Sequence, residues 1–240
     1  PAVQQSSSPA VQQSSSPAVQ QSSIMPKLYT YFRSSAAYRV RIALALKGVA
    51  HEAVPVHLAR NGGEQHSAAY RAKNPQGLVP ALELDDGTAL TQSLAIIEYL
   101  DETQPGPALL PADAEGRARV RAIAQGIACD IHPINNLRVL QYLGKELGAT
   151  QDQKDAWYRH WIATGLQGLE TMLASHPAKG RFCHGDTPTL ADCCLVPQLF
   201  NARRFNCPMD DYPTLLRIDA ACAELPAFQQ AAPAVQPDAE

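Results

Sequence analysis

Tyr29-Thr-Tyr-Phe-Arg33-Ser34-Ser35-Ala-Ala-Tyr38-Arg39-Val-Arg41-Ile-Ala-Leu-Ala-Leu-Lys47-Gly48 reads as a short strand, a hydroxyl-bearing turn and an amphipathic helix. Leu28, Tyr29 and Tyr31 suit a strand, and Val40, Ala43 and Leu44 recur at the three-and-four spacing of one helical face. Gly48 is placed to close the helix as its C′ residue. Ser34 and Ser35 therefore fall at or just before a helix N-terminus. Free backbone N–H groups and the positive end of the helix dipole meet there and favour an anion such as a thiolate. A plain capping role would use the same two serines.

Residues 52–58 alternate apolar side chains and predict a second strand, followed by a loop at Arg60-Asn61-Gly62-Gly63 and a short polar helix over 67–72. Residues 81–84 predict a strand. Asp85-Asp86-Gly87-Thr88 is a turn signal, and Ala89-Leu90-Thr91 supplies an antiparallel partner. Residues 93–100 have helical periodicity with Ser93 available as N-cap. The order βαβ–α–ββα describes a compact α/β domain over 25–104. The Pro-rich stretch after Gln104 breaks the helix and places a linker at 105–112. Beyond it the strand signals vanish, and 115–129, 134–144, 151–175 and 190–201 carry helical spacing, so 113–240 is expected to be an all-α domain. Thr189-Leu-Ala-Asp192 has the form of a capping box.

The first 24 residues stand apart. Pro1-Ala-Val-Gln-Gln-Ser-Ser-Ser8 repeats from Pro9 and again from Pro17, with Ile24 replacing the last serine. Such a tract has too little apolar surface to offset its ordering entropy, so 1–24 is expected to be disordered, either a tag or sequence upstream of a start at Met25.

The 240-residue chain is 45% hydrophobic and 18% charged, ordinary for a globular protein. A net charge of −3 gives no general electrostatic reason to expect nucleic acid or an anionic membrane as partner. No apolar run is long enough to span a bilayer and no signal-peptide pattern follows Met25, so the default expectation is the cytoplasm. Cys129, Cys183, Cys193, Cys194, Cys207 and Cys222 form no C-x-x-C pair and read as free thiols, with no metal site. None lies near Ser34 in sequence, so thiol chemistry at that turn needs a thiol from outside.

Asn74-Pro75-Gln76-Gly77-Leu78-Val79-Pro80-Ala81-Leu82, then Gln92-Ser93 before a helix, then an all-α region, resembles the glutathione transferase superfamily. Its first domain would be thioredoxin-like. The Arg33-Ser34-Ser35 turn, Tyr38-Arg39-Val-Arg41-Ile-Ala-Leu44, Asp130-Ile-His132-Pro-Ile-Asn135-Asn136 and Asn201-Ala-Arg203-Arg204-Phe205 are similar to the zeta class. The likeness runs from Met25 to the C-terminus. Zeta enzymes often read Ser-Ser-Cys-Ser where this chain has Ser34-Ser35-Ala36-Ala37. The missing cysteine leaves glutathione as the only sulfur in place.

The resemblance implies glutathione as cofactor and a small dicarboxylate keto acid as substrate. The expected reaction is cis–trans isomerisation of maleylacetoacetate, by reversible addition of thiolate to the double bond. The alternatives are maleylpyruvate isomerisation, transfer to α-halo acids, and a non-catalytic binding module. It implies further that Ser34 and Ser35 activate the thiol, in an order the sequence does not rank. Arg39, Gln65, Val79, Gln92, Ser93, Asn135 and Asn136 would hold glutathione, with Val79 preceding a cis-proline and Gln92 and Ser93 on the γ-glutamyl carboxylate. Arg33 and Arg204 would hold substrate carboxylates, their forked guanidinium suiting that group. Arg203 reads as a solvated charge. His132 either binds substrate and moves a proton or is structural. Trp157, Trp161 and Met172 read as core, and a homodimer is expected.

Overall fold

The computed structural model describes residues 25–178 and 180–240, so the repeat tract lies outside the described residues. A four-stranded sheet in the order β2-β1-β3-β4 is built from β1 (Lys27–Thr30), β2 (Glu52–Pro55), β3 (Ala81–Glu83) and β4 (Ala89–Thr91). β1 and β2 run parallel, joined through α1 (Ser35–Leu46), while β3 is antiparallel to both β1 and β4. The β3–β4 hairpin is the one expected. α2 (Ala68–Arg71) and α3 (Ser93–Thr103) complete this part.

β2 ends earlier than its alternating pattern suggested. Val56 still donates its N–H to Thr30 O, but the Glu64 carboxylate captures the His57 N–H at 2.7 Å, and His57 Nδ1 accepts from Ala59 and Arg60. Side-chain capture of the backbone turns the chain out of the sheet. At α3 the N-cap is Gln92, at φ 70°, and Ser93 is the first helical residue, which corrects the expectation for Ser93.

The rest is helical. α4 (Ala114–Gln125) passes into a π-helical turn (Gly126–Ile131) and the single turn α5 (His132–Ile134), where a continuous helix to 129 was expected. α6 (Leu137–Lys145) starts three residues later than predicted, because Asn136 adopts an extended cap conformation and its side chain accepts the Arg138 N–H. α7 (Gln151–Ala174) and α8 (Leu190–Arg204) both open on capping boxes, the second being the predicted Thr189–Asp192 pair. Two further helices, α9 (Pro213–Ala223) and α10 (Pro226–Ala231), each begin with proline in the first turn, where its missing N–H costs nothing.

α1 is the hub and packs against α3, α8 and α10. Every residue from Ala37 to Leu44 is buried, so α1 is not the one-faced amphipathic helix its spacing suggested. Neighbours on several sides enclose even Arg39 and Arg41. Lys47 caps the helix and Gly48 follows at φ 66°, a conformation glycine takes at no steric cost. The main core joins Leu28, Ile42, Leu44, Leu82 and Ile96 to Ile123, Ile127, Leu166, Leu195 and Leu199. Met172 is 46% exposed and leaves the expected core, since its position on α7 turns outward, while Trp157 and Trp161 are half-buried in edge-to-face contact. All six cysteines are free and only Cys129 is exposed. Among the described residues, no helix is long and apolar enough to cross a membrane, and no side-chain cluster is suited to a metal ion.

Candidate active site

A cavity of about 390 Å³ opens at the N-terminus of α1. Arg33, Ser34 and Ser35 form one wall, with Gln65, His66 and the Gly77–Leu78–Val79 segment beside them. The helical part closes it with His132, Asn135, Asn136, Arg138, Tyr158, Gln198, Asn201 and Arg204. Among the described residues, the lining includes three arginines and no Asp or Glu. An anionic ligand is what such a wall can hold.

The two serines differ. Ser34 is the N-cap of α1, and its Oγ accepts the Ala37 N–H at 3.2 Å. Ser35 is the first helical residue, is buried, and has its Oγ 2.8 Å from His132 Nδ1. His132 presents an edge to the cavity but protein encloses the ring. Burial pulls its pKa down to about 3, with Arg39 and Arg138 acting in the same direction. The imidazole is neutral.

Val79 meets Pro80 through the expected cis peptide bond and lines the cavity. Gln65 is buried there, its Nε2 donating to Leu58 O at 3.3 Å and its Oε1 unpartnered. Asn135 is buried, donates to Tyr158 O at 3.4 Å and likewise keeps its Oδ1 unpaired. Arg33 and Arg204 are exposed at the cavity, each stacked over the preceding or following phenylalanine, and neither has a carboxylate partner among the described residues. Arg203 points elsewhere, to Asp219.

Three expected contacts lie outside the cavity lining. Arg39 is buried, and its only hydrogen bond among the described residues runs from Nη1 to Ser93 Oγ at 3.2 Å; Nε and Nη2 have none. Burial lowers its pKa. Ser93 is therefore buried on Arg39, and neither it nor Gln92 is in the lining. Gln92 donates to Gln76 Oε1 at 2.8 Å, and Gln76 does reach the cavity.

Gln198, Asn201, Tyr158 and Arg138 were missed in the sequence. Gln198 and Asn201 are buried with an unpaired side-chain oxygen each, and Arg204 follows at the same spacing. A polar row at three-residue intervals in an otherwise apolar helix was the available signal. Tyr158 stacks on Phe205 with ring centroids 3.5 Å apart, and burial pushes its pKa up to about 12, so it remains a neutral phenol.

The family model described as the glutathione S-transferase N-terminal domain matches residues 28–108, and the one described as the C-terminal domain matches 155–236. A relative from Vibrio cholerae, named as a probable maleylacetoacetate isomerase, is 56% identical over 88% of this chain and 97% of its own length. The structure of a bacterial maleyl pyruvate isomerase, described as a zeta-class glutathione S-transferase, superposes with a TM-score of 0.86 at 53% identity, over 89% of this chain and all of that one. A maleylacetoacetate isomerase from Anaeromyxobacter dehalogenans, solved with glutathione in its active site, gives a TM-score of 0.80 at 50% identity, covering 90% of this chain and 98% of its own. The chain belongs to the glutathione S-transferase family, in its zeta class.

Proposed function

We propose that this protein is a glutathione-dependent cis–trans isomerase that converts maleylacetoacetate to fumarylacetoacetate. The observation that carries the reading is a cavity with serine hydroxyls at a helix N-terminus, flanked by Arg33 on the same wall and faced by Arg204 from the helical part, neither arginine having a carboxylate partner among the described residues. Buried oxygen atoms of Gln65 and Asn135 without partners also suit a ligand rich in amide N–H and ammonium donors, such as glutathione. The named activity of the Vibrio relative and the glutathione in the Anaeromyxobacter structure support it.

When bound, glutathione supplies a thiolate whose reversible addition to the conjugated carbon–carbon double bond lets that bond rotate, and its departure returns the cofactor. Ser34 and Ser35 donate hydrogen bonds that favour the charged sulfur, and the amino end of α1 adds to this. Val79 offers its backbone to the cysteinyl unit. Gln92, exposed and donating to Gln76 in the cavity lining, reaches the γ-glutamyl carboxylate with Ser93 and the Arg39 guanidinium behind it, while Gln65, Asn135 and Asn136 bind the rest of the peptide. Arg33 and Arg204 orient the two substrate carboxylates and offset charge that builds on the substrate carbonyl oxygen. His132, neutral in this setting, is not a cation for the substrate. The working form is a homodimer in the cytoplasm.

An absorbance assay of maleylacetoacetate isomerisation, with and without glutathione and beside maleylpyruvate, tests the reading. Glutathione-dependent turnover that is faster for maleylacetoacetate is the expected result. Preference for maleylpyruvate would reassign the substrate while keeping the chemistry, and a relative named for that activity is 53% identical. No turnover of either would overturn the assignment.

A further inference from the structure

His132 is not free to take either neutral tautomer. Asn136 caps α6, so its Oδ1 is committed to the Arg138 N–H at 3.2 Å. That leaves its Nδ2, which can only donate, 3.3 Å from His132 Nε2. Nε2 must then be the acceptor, and a neutral imidazole with an acceptor Nε2 carries its single proton on Nδ1. Nδ1 lies 2.8 Å from Ser35 Oγ, so the ring N–H donates to that oxygen. A serine hydroxyl whose oxygen already accepts from the ring has its own proton to give elsewhere. Among the described residues Ser35 makes no other side-chain hydrogen bond, and it lines the cavity.

We propose that His132 is a positioning residue whose Nδ1–H, in a tautomer locked by Asn136, turns the Ser35 hydroxyl proton toward the sulfur of glutathione. The proposal rests on the glutathione reading above and adds to it a specific chain, Asn136 to His132 to Ser35 to sulfur. Donation into Oγ also polarises the hydroxyl and strengthens it as a donor, as chained hydrogen bonds do. No proton changes owner along this chain. The proton lost by the thiol goes to solvent, and each relay group keeps its own.

The charged groups acting on the ring are Arg39 from α1 and Arg138 from α6. Both are cations, so both oppose a second proton on the imidazole. A cationic ring would also set Nε2–H against the Asn136 N–H donors. The neutral state is thus held by charge and by hydrogen-bond geometry together.

The test has two readouts that need no substrate. Nitrogen-15 spectra of the free protein report which ring nitrogen of His132 carries the proton. The expected result is Nδ1–H, and an Nε2–H tautomer would overturn the proposal. The ultraviolet absorbance of bound glutathione thiolate, followed against pH, should move up by about one pKa unit, tenfold in the equilibrium, in His132→Leu and in Ser35→Ala. The double variant should be no worse than either alone, because both break one chain. His132→Asn places an amide N–H near the lost Nδ1 and should recover most of the shift. Since His132→Leu could fold poorly, His132→Asn and the nitrogen spectra keep the test decisive. Normal thiolate titration in His132→Leu would overturn the relay and leave the isomerase reading intact. An intact relay with no turnover of either keto acid would overturn the isomerase reading alone. Failure of the unsubstituted protein to bind glutathione would overturn both.

Discussion

Ser34 asks one oxygen to do two jobs. It caps α1 by accepting the Ala37 N–H, and its hydroxyl proton remains available to a ligand in the cavity. The two jobs separate by substitution. An N-cap serine replaced by alanine costs about 1 kcal/mol, whereas glycine costs only a few tenths. Ser34→Ala and Ser34→Gly should therefore lose activity alike but differ in urea-unfolding stability by about 1 kcal/mol. Equal stability would mean that the cap carries no weight. His132 allows a pH prediction at the same scale. Its proton affinity is lower in the folded state than in the unfolded one, so the unfolded chain binds more protons as pH falls. Its contribution is complete above about 6.5, the ordinary value, and is lost progressively as pH falls toward about 3. The slope in that window is about 1.4 kcal/mol per pH unit. His132→Asn should flatten the acid side of the stability profile, as measured by denaturant unfolding at a series of pH values. An unchanged slope would mean the ring titrates normally. Ser34 and Ser35 were legible at this scale because a serine pair before a helix has few readings. The division between them was not, since it depends on a histidine 97 positions away.

At the scale of elements, the site depends on how closely α7 lets the π-helical turn approach. Gly165 of α7 lies under Ile131, the residue just before His132, and a methyl group at Gly165 would run into Cγ1 and Cδ1 of that isoleucine. Alanine in a helix interior is worth about 1 kcal/mol over glycine. Overpacking a buried contact of this kind costs about 1–3 kcal/mol, which outweighs it. Gly165→Ala should therefore lower stability despite the better helix former, and should shift the His132 ring signals and weaken the Ser35 contact. A stability gain would show that the turn yields freely. The hairpin β3–β4 and the capping box of α8 were readable because each is decided by residues within a few positions of one another. The π-helical turn was not. Its sequence, Gly126-Ile-Ala-Cys-Asp-Ile131, has ordinary helical spacing, and only the packing of α4 and α7 around it selects the wider turn. The polar spacing of Gln198, Asn201 and Arg204 is visible in the sequence, but that the first two are buried at the cavity follows only from the packing of α8.

At the scale of the molecule, the turn that carries the serines is held from the far end of the chain. Phe32, two residues before Ser34, donates its N–H to Asp238 Oδ2 at 2.9 Å across 206 positions of sequence. Buried Arg41 binds the other side of the turn, donating to the carbonyls of Tyr31 and Phe32 and to Thr30 Oγ1, and it ties these to Ala231 O at the end of α10. Glu240 adds contacts to His57 and Arg60, but Glu240 itself is exposed and such pairs are of small worth. No pattern in the sequence announces such links, because neither Asp238 nor Arg41 differs locally from a surface residue. Their partners are known only once the chain has closed on itself. Removing Asp238 leaves a backbone N–H without its acceptor next to the turn that carries the serines, which costs about 1–3 kcal/mol where water cannot replace it. Asp238→Ala should lower unfolding stability by about that amount. Hydrogen exchange at Phe32 should accelerate while the exchange of the β1–β3 pairs, held by their own ladder, stays slow. Because Ser34 and Ser35 follow directly, kcat should fall more than the affinity for glutathione, which other walls of the cavity also supply. If exchange at Phe32 and turnover both stay as they were, the turn is fixed by Arg41 alone and the C-terminal contact plays no part in shaping the site.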